Sequence, residues 1–166
     1  EVSRVCGSHG LTLAAHNSLG CWPIAALGTE EQKEEFLSPA AAGESLLSFG
    51  LTEAGAGSDA GGTRATAVRD GDDWVLNGAK IFISGGDNDL GENVIHLVLA
   101  RIEGAEAGTK GLSLFIVPRV RINKDGSLGE ENDVTVPSIE HKMGINGSAT
   151  CVMNFGDEGK CLGEVV

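Results

Sequence analysis

From residue 44 onward the chain reads as short apolar segments separated by turn signals, with no helical pattern between them. TRATAVRDGDDWVLNGAKIFIS is the clearest case: two strand-like halves meet at Asp70-Gly71-Asp72-Asp73, a tight hairpin signal. LLSFGL precedes this pair, and VIHLVLAR, GLSLFIVP, TVPSIEHKMG and ATCVMNFG follow it. Parallel strands joined in βαβ units need long crossovers, usually helical, and no such alternation is present. The expected fold class is therefore α+β: a short helical segment followed by a mainly antiparallel β-barrel or sandwich. VRINKDGSLGEEND, polar and glycine-containing, is read as a loop.

The residues before this β region carry a different period. Val2, Val5, Cys6, His9, Leu13 and His16 recur at helical spacing, which predicts an amphipathic helix over about residues 2–18. Pro23 to Leu27 suggests a short helix ended by Gly28. Thr29 and Gln32 form a capping-box pattern with acidic residues in the first turn. That helix is expected to stop near Leu37, because Ser38 precedes Pro39. The chain opens inside a helical pattern, and its last residues, GKCLGEVV, show no closing element. A piece of a longer protein is expected, with residues 1–43 ending one helical domain and 44–166 forming a β domain.

Charge narrows the function classes. Twelve basic residues face 24 acidic ones, a formal net charge of -12, so no basic run exists to neutralise a nucleic-acid backbone. No apolar run reaches membrane-spanning length. Cys6, Cys21, Cys151 and Cys161 make no C-x-x-C pair, and His9, His16, His96 and His141 are scattered, so no metal site is expected. Trp22 and Trp74 read as core or turn anchors. The 25 glycines lack the collagen period and point to turns or close backbone approaches.

Those glycines concentrate in GLTEAGAGSDAGG, residues 50–62. Gly55-Ala56-Gly57-Ser58-Asp59-Ala60 matches the loose dinucleotide fingerprint, but that motif opens a helix, and here the strand-like TRATAV follows. No Gly-Lys-Ser/Thr closes the segment as a P-loop requires. A plain structural turn is the remaining reading from composition alone.

The stretch does, however, resemble the signature of the acyl-CoA dehydrogenase family, flavoproteins that oxidise acyl thioesters. The likeness runs from Gly50 through Leu51-Thr52-Glu53 and Gly57-Ser58-Asp59 to Gly62. GTEEQKEEFL, LNGAKIFISGG, KGLSLFIVP and HKMGINGSATC agree in order and spacing, so the resemblance covers almost the whole chain. It implies a helical N-terminal domain, a middle β domain and a C-terminal helical bundle, of which this chain would hold the end of the first and nearly all of the second.

The chemistry implied is α,β-dehydrogenation of an acyl-CoA to a 2-enoyl-CoA: a base removes the α proton and hydride passes to N5 of FAD. By resemblance, Phe49, Gly50, Leu51 and Thr52 run along the flavin, with the Thr52 hydroxyl near its pyrimidine edge. Phe82, Ile83 and Ser84 form the second flavin segment, Phe82 packing on the ring where relatives often carry Trp, and Ser84 near N5. Strand alternation would point Phe82 and Ser84 the same way. Ser58 would meet the acyl-CoA, and Asp59 would organise the loop through its backbone N–H groups. Glu53 is not the expected base, which the family carries elsewhere, so the chain alone should be close to inert. Implied partners are an electron-transfer flavoprotein and further copies of the full-length protein, in the cytoplasm or, in a eukaryote, the mitochondrial matrix. The rival readings are a non-catalytic β binding module of the same fold and a related flavoprotein that oxidises another substrate.

Overall fold

The computed structural model describes residues 1–166. Its first 43 residues are helical. After a short turn of helix, α1 (Val2–Val5), the backbone extends at Cys6 and re-enters a helix, α2 (Gly7–Ala14). This runs without a break through a wide π-helical stretch, Ala15–Cys21, into α3 (Trp22–Leu27). The two helices read from the sequence are therefore one rod. Widening explains how Pro23 is tolerated: the Trp22 N–H already bonds the Asn17 carbonyl five residues back, so the ladder has slipped before proline removes a donor.

The same device recurs after the Thr29 cap. Thr29 and Gln32 make both bonds of the capping box at the start of α4 (Glu30–Gln32). Beyond it Lys33–Leu37 is π-helical, and the Ser38 N–H bonds the Lys33 carbonyl. Pro39 then sits in the first turn of α5 (Ser38–Ala42), so Ser38-Pro39 does not end the helix. Gly43, left-handed at φ 82°, does.

Ten strands follow: β1 (Ser45–Gly50), β2 (Thr66–Asp70), β3 (Asp73–Ser84), β4 (Asn93–Ile102), β5 (Leu112–Pro118), β6 (Val120–Ile122), β7 (Leu128–Glu131), β8 (Val134–Ile139), β9 (Thr150–Phe155) and β10 (Cys161–Val165). The Asp70–Asp73 hairpin forms as expected between β2 and β3. Two expectations fail. VRINKDGSLGEEND contains the small β6–β7 hairpin, and CLGEV closes the sheet as β10 between β3 and β5. Because β2 pairs with both β3 and β4, the ring β4–β5–β10–β3–β2 closes into a barrel, with β1 added outside β4 and β9–β8 continuing from β3. Pairing is mainly antiparallel, but β1 and β2 each run parallel to β4.

The barrel interior is packed by residues such as Leu76, Val98, Phe115, Val117, Met153 and Phe155. Burying a large apolar side chain of this kind stabilises the fold by about 1.5–3 kcal/mol. A second cluster, including Ile24, Phe36, Leu47, Leu97 and Ile116, seals the helices onto the outer face of β1–β4–β5. Gly20 sets how close that seal can be, since a Cβ there would lie 2.3 Å from Leu47 Cβ. Trp74 is a barrel-side anchor, edge-on to Phe115 at 5.7 Å, whereas Trp22 is 63% exposed and anchors nothing in the chain. The four cysteines are free, with Cys151 and Cys161 buried. No helix is long and apolar enough to cross a membrane.

Candidate functional site

β1 leads directly into the glycine-rich stretch and is fixed at both ends. At its start the Leu47 N–H donates to His16 Nδ1 at 3.1 Å, tying the strand to the π-helical turn. That requires a neutral imidazole, and burial holds the His16 pKa below its ordinary value, against a hydrogen bond to the Ala40 carbonyl that raises it. At the far end the Thr52 carbonyl accepts from the Ile81 N–H at 2.8 Å. The segments Phe49–Thr52 and Phe82–Ser84, 30 or more residues apart in sequence, are therefore brought side by side.

A buried ion pair reinforces this junction. Lys80 is wholly buried, and its Nζ donates to Glu53 Oε1 at 2.8 Å and to the Leu51 carbonyl at 3.1 Å. Glu53 also accepts from the N–H groups of Arg64 and Ala65 at 2.7 and 3.0 Å, drawing the two ends of the glycine-rich loop together. Burial pushes the Glu53 carboxyl up, but Lys80 and the two N–H donors outweigh it and hold the group below the ordinary carboxylate range. Burial lowers the Lys80 pKa, and Glu53 offsets part of that shift. Glu53 thus has a structural task, in line with its rejection as a base. The loop-organising role expected of Asp59 falls instead to Glu53 and to Arg101, whose guanidinium donates to the carbonyls of Gly61, Gly108 and Glu106.

The second segment is not a regular strand along its whole length. A bulge interrupts the β3–β9 register between Lys80 and Ile83, and Phe82 lies in the left-handed region at φ 61°. Phe82 is 58% exposed while Ile83 is buried in the barrel core, so the bulge, not strand periodicity, presents the aromatic ring. Ser84 is half-buried and borders a small crevice with Thr12, Ala15 and Leu47. Phe49 packs against the helix-side cluster, and Gly50 is buried behind it.

These residues suit a flat, acceptor-rich ring. The N–H groups of Leu51 and Thr52 have no partner in the chain, and neither do the hydroxyls of Thr52 and Ser84. Phe82 offers an uncovered aromatic face nearby. Ser58 is exposed on the glycine-rich loop. Phe82 and Ser58 are exposed, and Leu51, Thr52 and Ser84 are half-buried. A groove of about 580 Å³ lies elsewhere, between α4–α5 and the β6–β7 hairpin, and five glutamates line it, which disfavours an anionic ligand there. Lys80 and Arg101 are the residues that sequence reasoning missed. Lys80 bonds residues 27 and 29 positions earlier, and Arg101 joins nearby carbonyls to that of Gly61, 40 positions earlier, so only a lysine within an otherwise apolar run, LNGAKIFIS, hinted at the first.

Residues 48–157 match the model of the acyl-CoA dehydrogenase middle domain, and residues 1–44 match that of the acyl-CoA dehydrogenase N-terminal domain. The chain belongs to the acyl-CoA dehydrogenase family. A butyryl-CoA dehydrogenase of Syntrophomonas wolfei subsp. wolfei is 43% identical over 148 residues, 88% of this chain and 24% of the relative. Among solved structures, the acyl-CoA dehydrogenase of Bacillus anthracis complexed with FAD aligns with 95% of the chain and 25% of its own, at a TM-score of 0.73 and 33% identity. The electron transferring flavoprotein structure from Acidaminococcus fermentans aligns with 95% of the chain and 39% of its own, at a TM-score of 0.75 and 36% identity. The chain thus spans well under half the length of these acyl-CoA dehydrogenase relatives. It is a flavoprotein-family β-barrel with helices packed on one face.

Proposed function

We propose that this chain forms the flavin-binding and part of the thioester-binding surface of an acyl-CoA dehydrogenase that converts an acyl-CoA to a 2-enoyl-CoA. The observation that carries the reading is the junction of Thr52 with Ile81, which lays two segments with unpaired hydrogen-bonding groups beside an exposed aromatic ring. When bound, FAD supplies the two-electron acceptor.

The chain's residues place and hold that cofactor. Leu51 and Thr52 N–H groups and the Thr52 hydroxyl would meet the polar edge of its ring. Phe82 would cover a ring face, and the Ser84 hydroxyl would lie near the reacting end. A Phe at 82 keeps the packing but offers no ring N–H, unlike the Trp of many relatives. Ser58 would bond the thioester ligand, and Glu53 and Arg101 would keep its loop in place.

Nothing on this surface excludes water, and a positioned base is worth roughly 10²–10⁴-fold in rate. We place both in the remainder of a longer polypeptide, as a C-terminal helical bundle bearing a glutamate. In this reading residues 1–43 end the helical N-terminal domain, residues 44–166 form the middle domain, and the complete protein is a homo-oligomer. It would pass electrons to an electron-transfer flavoprotein, in the cytoplasm or the mitochondrial matrix.

The test is the complete polypeptide purified and mixed with straight-chain acyl-CoA esters. Loss of the flavin absorbance with formation of the 2-enoyl product supports the proposal. A protein that takes up FAD but is not reduced by any acyl-CoA defeats the dehydrogenase assignment.

A further inference from the structure

Lysine is seldom buried whole, because moving its charge out of water costs several kcal/mol that a single ion pair rarely returns. Lys80 is nonetheless fully buried, in a strand where an apolar side chain of similar volume would fill the space without that cost. Its ammonium makes two hydrogen bonds where chain segments meet. One reaches the Leu51 carbonyl and another Glu53 Oε1, while Glu53 itself gathers Arg64 and Ala65. One ammonium therefore holds the end of β1, both necks of the glycine-rich loop and the start of the β3 bulge.

The bulge gives this arrangement a purpose. Phe82 sits at φ 61°, a region that costs a bulky side chain of order 1–3 kcal/mol and persists only where its flanks are over-determined. One flank is Ile83, locked in the barrel core. The other is Lys80, where the β3–β9 register breaks. Without the Nζ contacts, the Ile81 N–H to Thr52 bond is the hydrogen bond left between the two segments.

We infer that Lys80 is a positioning residue: through the Leu51 carbonyl it sets the separation between Phe49–Thr52 and the Phe82 bulge, and so the fit of the cofactor between them. This rests on the flavin reading proposed above. Glu53 then balances a charge that placement, not stability, requires.

Three variants of the complete polypeptide separate positioning from a merely structural ion pair: Lys80→Met, Glu53→Gln, and the two combined. FAD is titrated into each apoprotein, and apoprotein melting is measured in parallel. A structural pair predicts that the two single variants lose FAD affinity alike and that the double variant recovers it, since no unpaired buried charge remains. Positioning predicts a different pattern. Glu53→Gln keeps the Nζ–Leu51 bond and stays within about threefold of the parent, a change worth less than ~1 kcal/mol. Lys80→Met weakens FAD binding at least about tenfold, or ~1.4 kcal/mol. The double variant regains the melting temperature but not the affinity, and the circular dichroism of its bound flavin differs from the parent's. Should the double variant not fold, the contrast between the single variants still decides, because both strand one buried charge. A double variant that binds FAD within about twofold of the parent, or single variants that lose affinity equally, overturns the role of Lys80 while leaving the flavin site standing. A parent polypeptide that takes up no FAD at all removes the flavin reading, and this inference with it.

Discussion

The Thr52 carbonyl accepts a hydrogen bond from the Ile81 N–H at 2.8 Å, and together with the Lys80 bonds to Leu51 and Glu53 it joins the glycine-rich loop to the strand that carries Phe82 and Ser84. It turns two separate sequence blocks into neighbours. The helices press on the back of β1, the barrel holds β3, and the exposed groups between them are left without partners.

Phe82 is strained and more than half exposed, so its native conformation is held for something other than packing. Phe82→Gly should leave apoprotein stability within about 1 kcal/mol of the parent, relief of strain offsetting the added freedom of the unfolded chain. Phe82→Val, β-branched at the same φ, should cost clearly more. Urea denaturation of both variants checks this, and a Gly variant less stable than the Val variant would show that Phe82 is held by packing.

Gly20 allows the helical rod to touch β1. Gly20→Ala places a methyl 2.3 Å from Leu47 Cβ, far inside contact distance, so either the rod or the strand must move. Overpacking of this kind costs about 1–3 kcal/mol. Because β1 carries Phe49–Thr52, FAD affinity should fall with stability, and the Leu47 N–H to His16 bond should loosen. Denaturation together with amide exchange at Leu47 measures both.

Arg101 fastens the loop that bears Ser58 without touching the proposed ring site. Its bonds to carbonyls are charge-assisted, worth about 1.5–3 kcal/mol each where such bonds are lost. Arg101→Met should raise the KM for acyl-CoA about tenfold while FAD content stays unchanged. Steady-state kinetics with a flavin count per polypeptide tests the split, and a loss of FAD with KM unaltered would be the wrong way round.

His96 supplies a pH dependence of known sign. It is fully buried, with Nδ1 on the Ser48 hydroxyl at 2.7 Å and Nε2 unpartnered, and burial, then the nearby Arg119 charge, pull its pKa down to about 3. The unfolded chain takes up that proton near the ordinary value of about 6.5, and the folded chain does not. Stability is therefore full above about pH 6.5 and falls as pH drops toward 3, by at most about 1.4 kcal/mol per unit from this group. Glu53, held below the ordinary carboxylate range, adds a further loss at the acid end of the window. His96→Leu should flatten the slope between pH 6.5 and 4.5, whatever its own stability. An unchanged slope would assign the acid sensitivity to other groups.

What the sequence disclosed and what it hid divide along the range of the interactions. Asp70-Gly71 and the Thr29–Gln32 box act over four residues, and both formed where they were read. The glycine-rich signature was legible through its resemblance to a family, since its composition alone allowed a plain turn. Pro23 and Pro39 misled because a one-residue slip in the helix ladder, invisible to periodicity, had already removed the need for their donors. β10 was missed because its partners lie in β3 and β5, far away in sequence. Phe82 and Ser84 came from the resemblance, with alternation giving only their direction, and the bulge beside them starts at Lys80, whose ion pair with Glu53 spans 27 residues.

The most direct test of the central claim is FAD titration into the apo form of the complete polypeptide, comparing the parent with Thr52→Val, Ser84→Ala and both together. If the two hydroxyls serve one bound ring, each single change should weaken FAD binding about threefold to tenfold, as loss of one hydrogen bond does, with the apoprotein melting temperature unmoved. A double variant that binds FAD as tightly as the parent, or a parent that binds none, would contradict it.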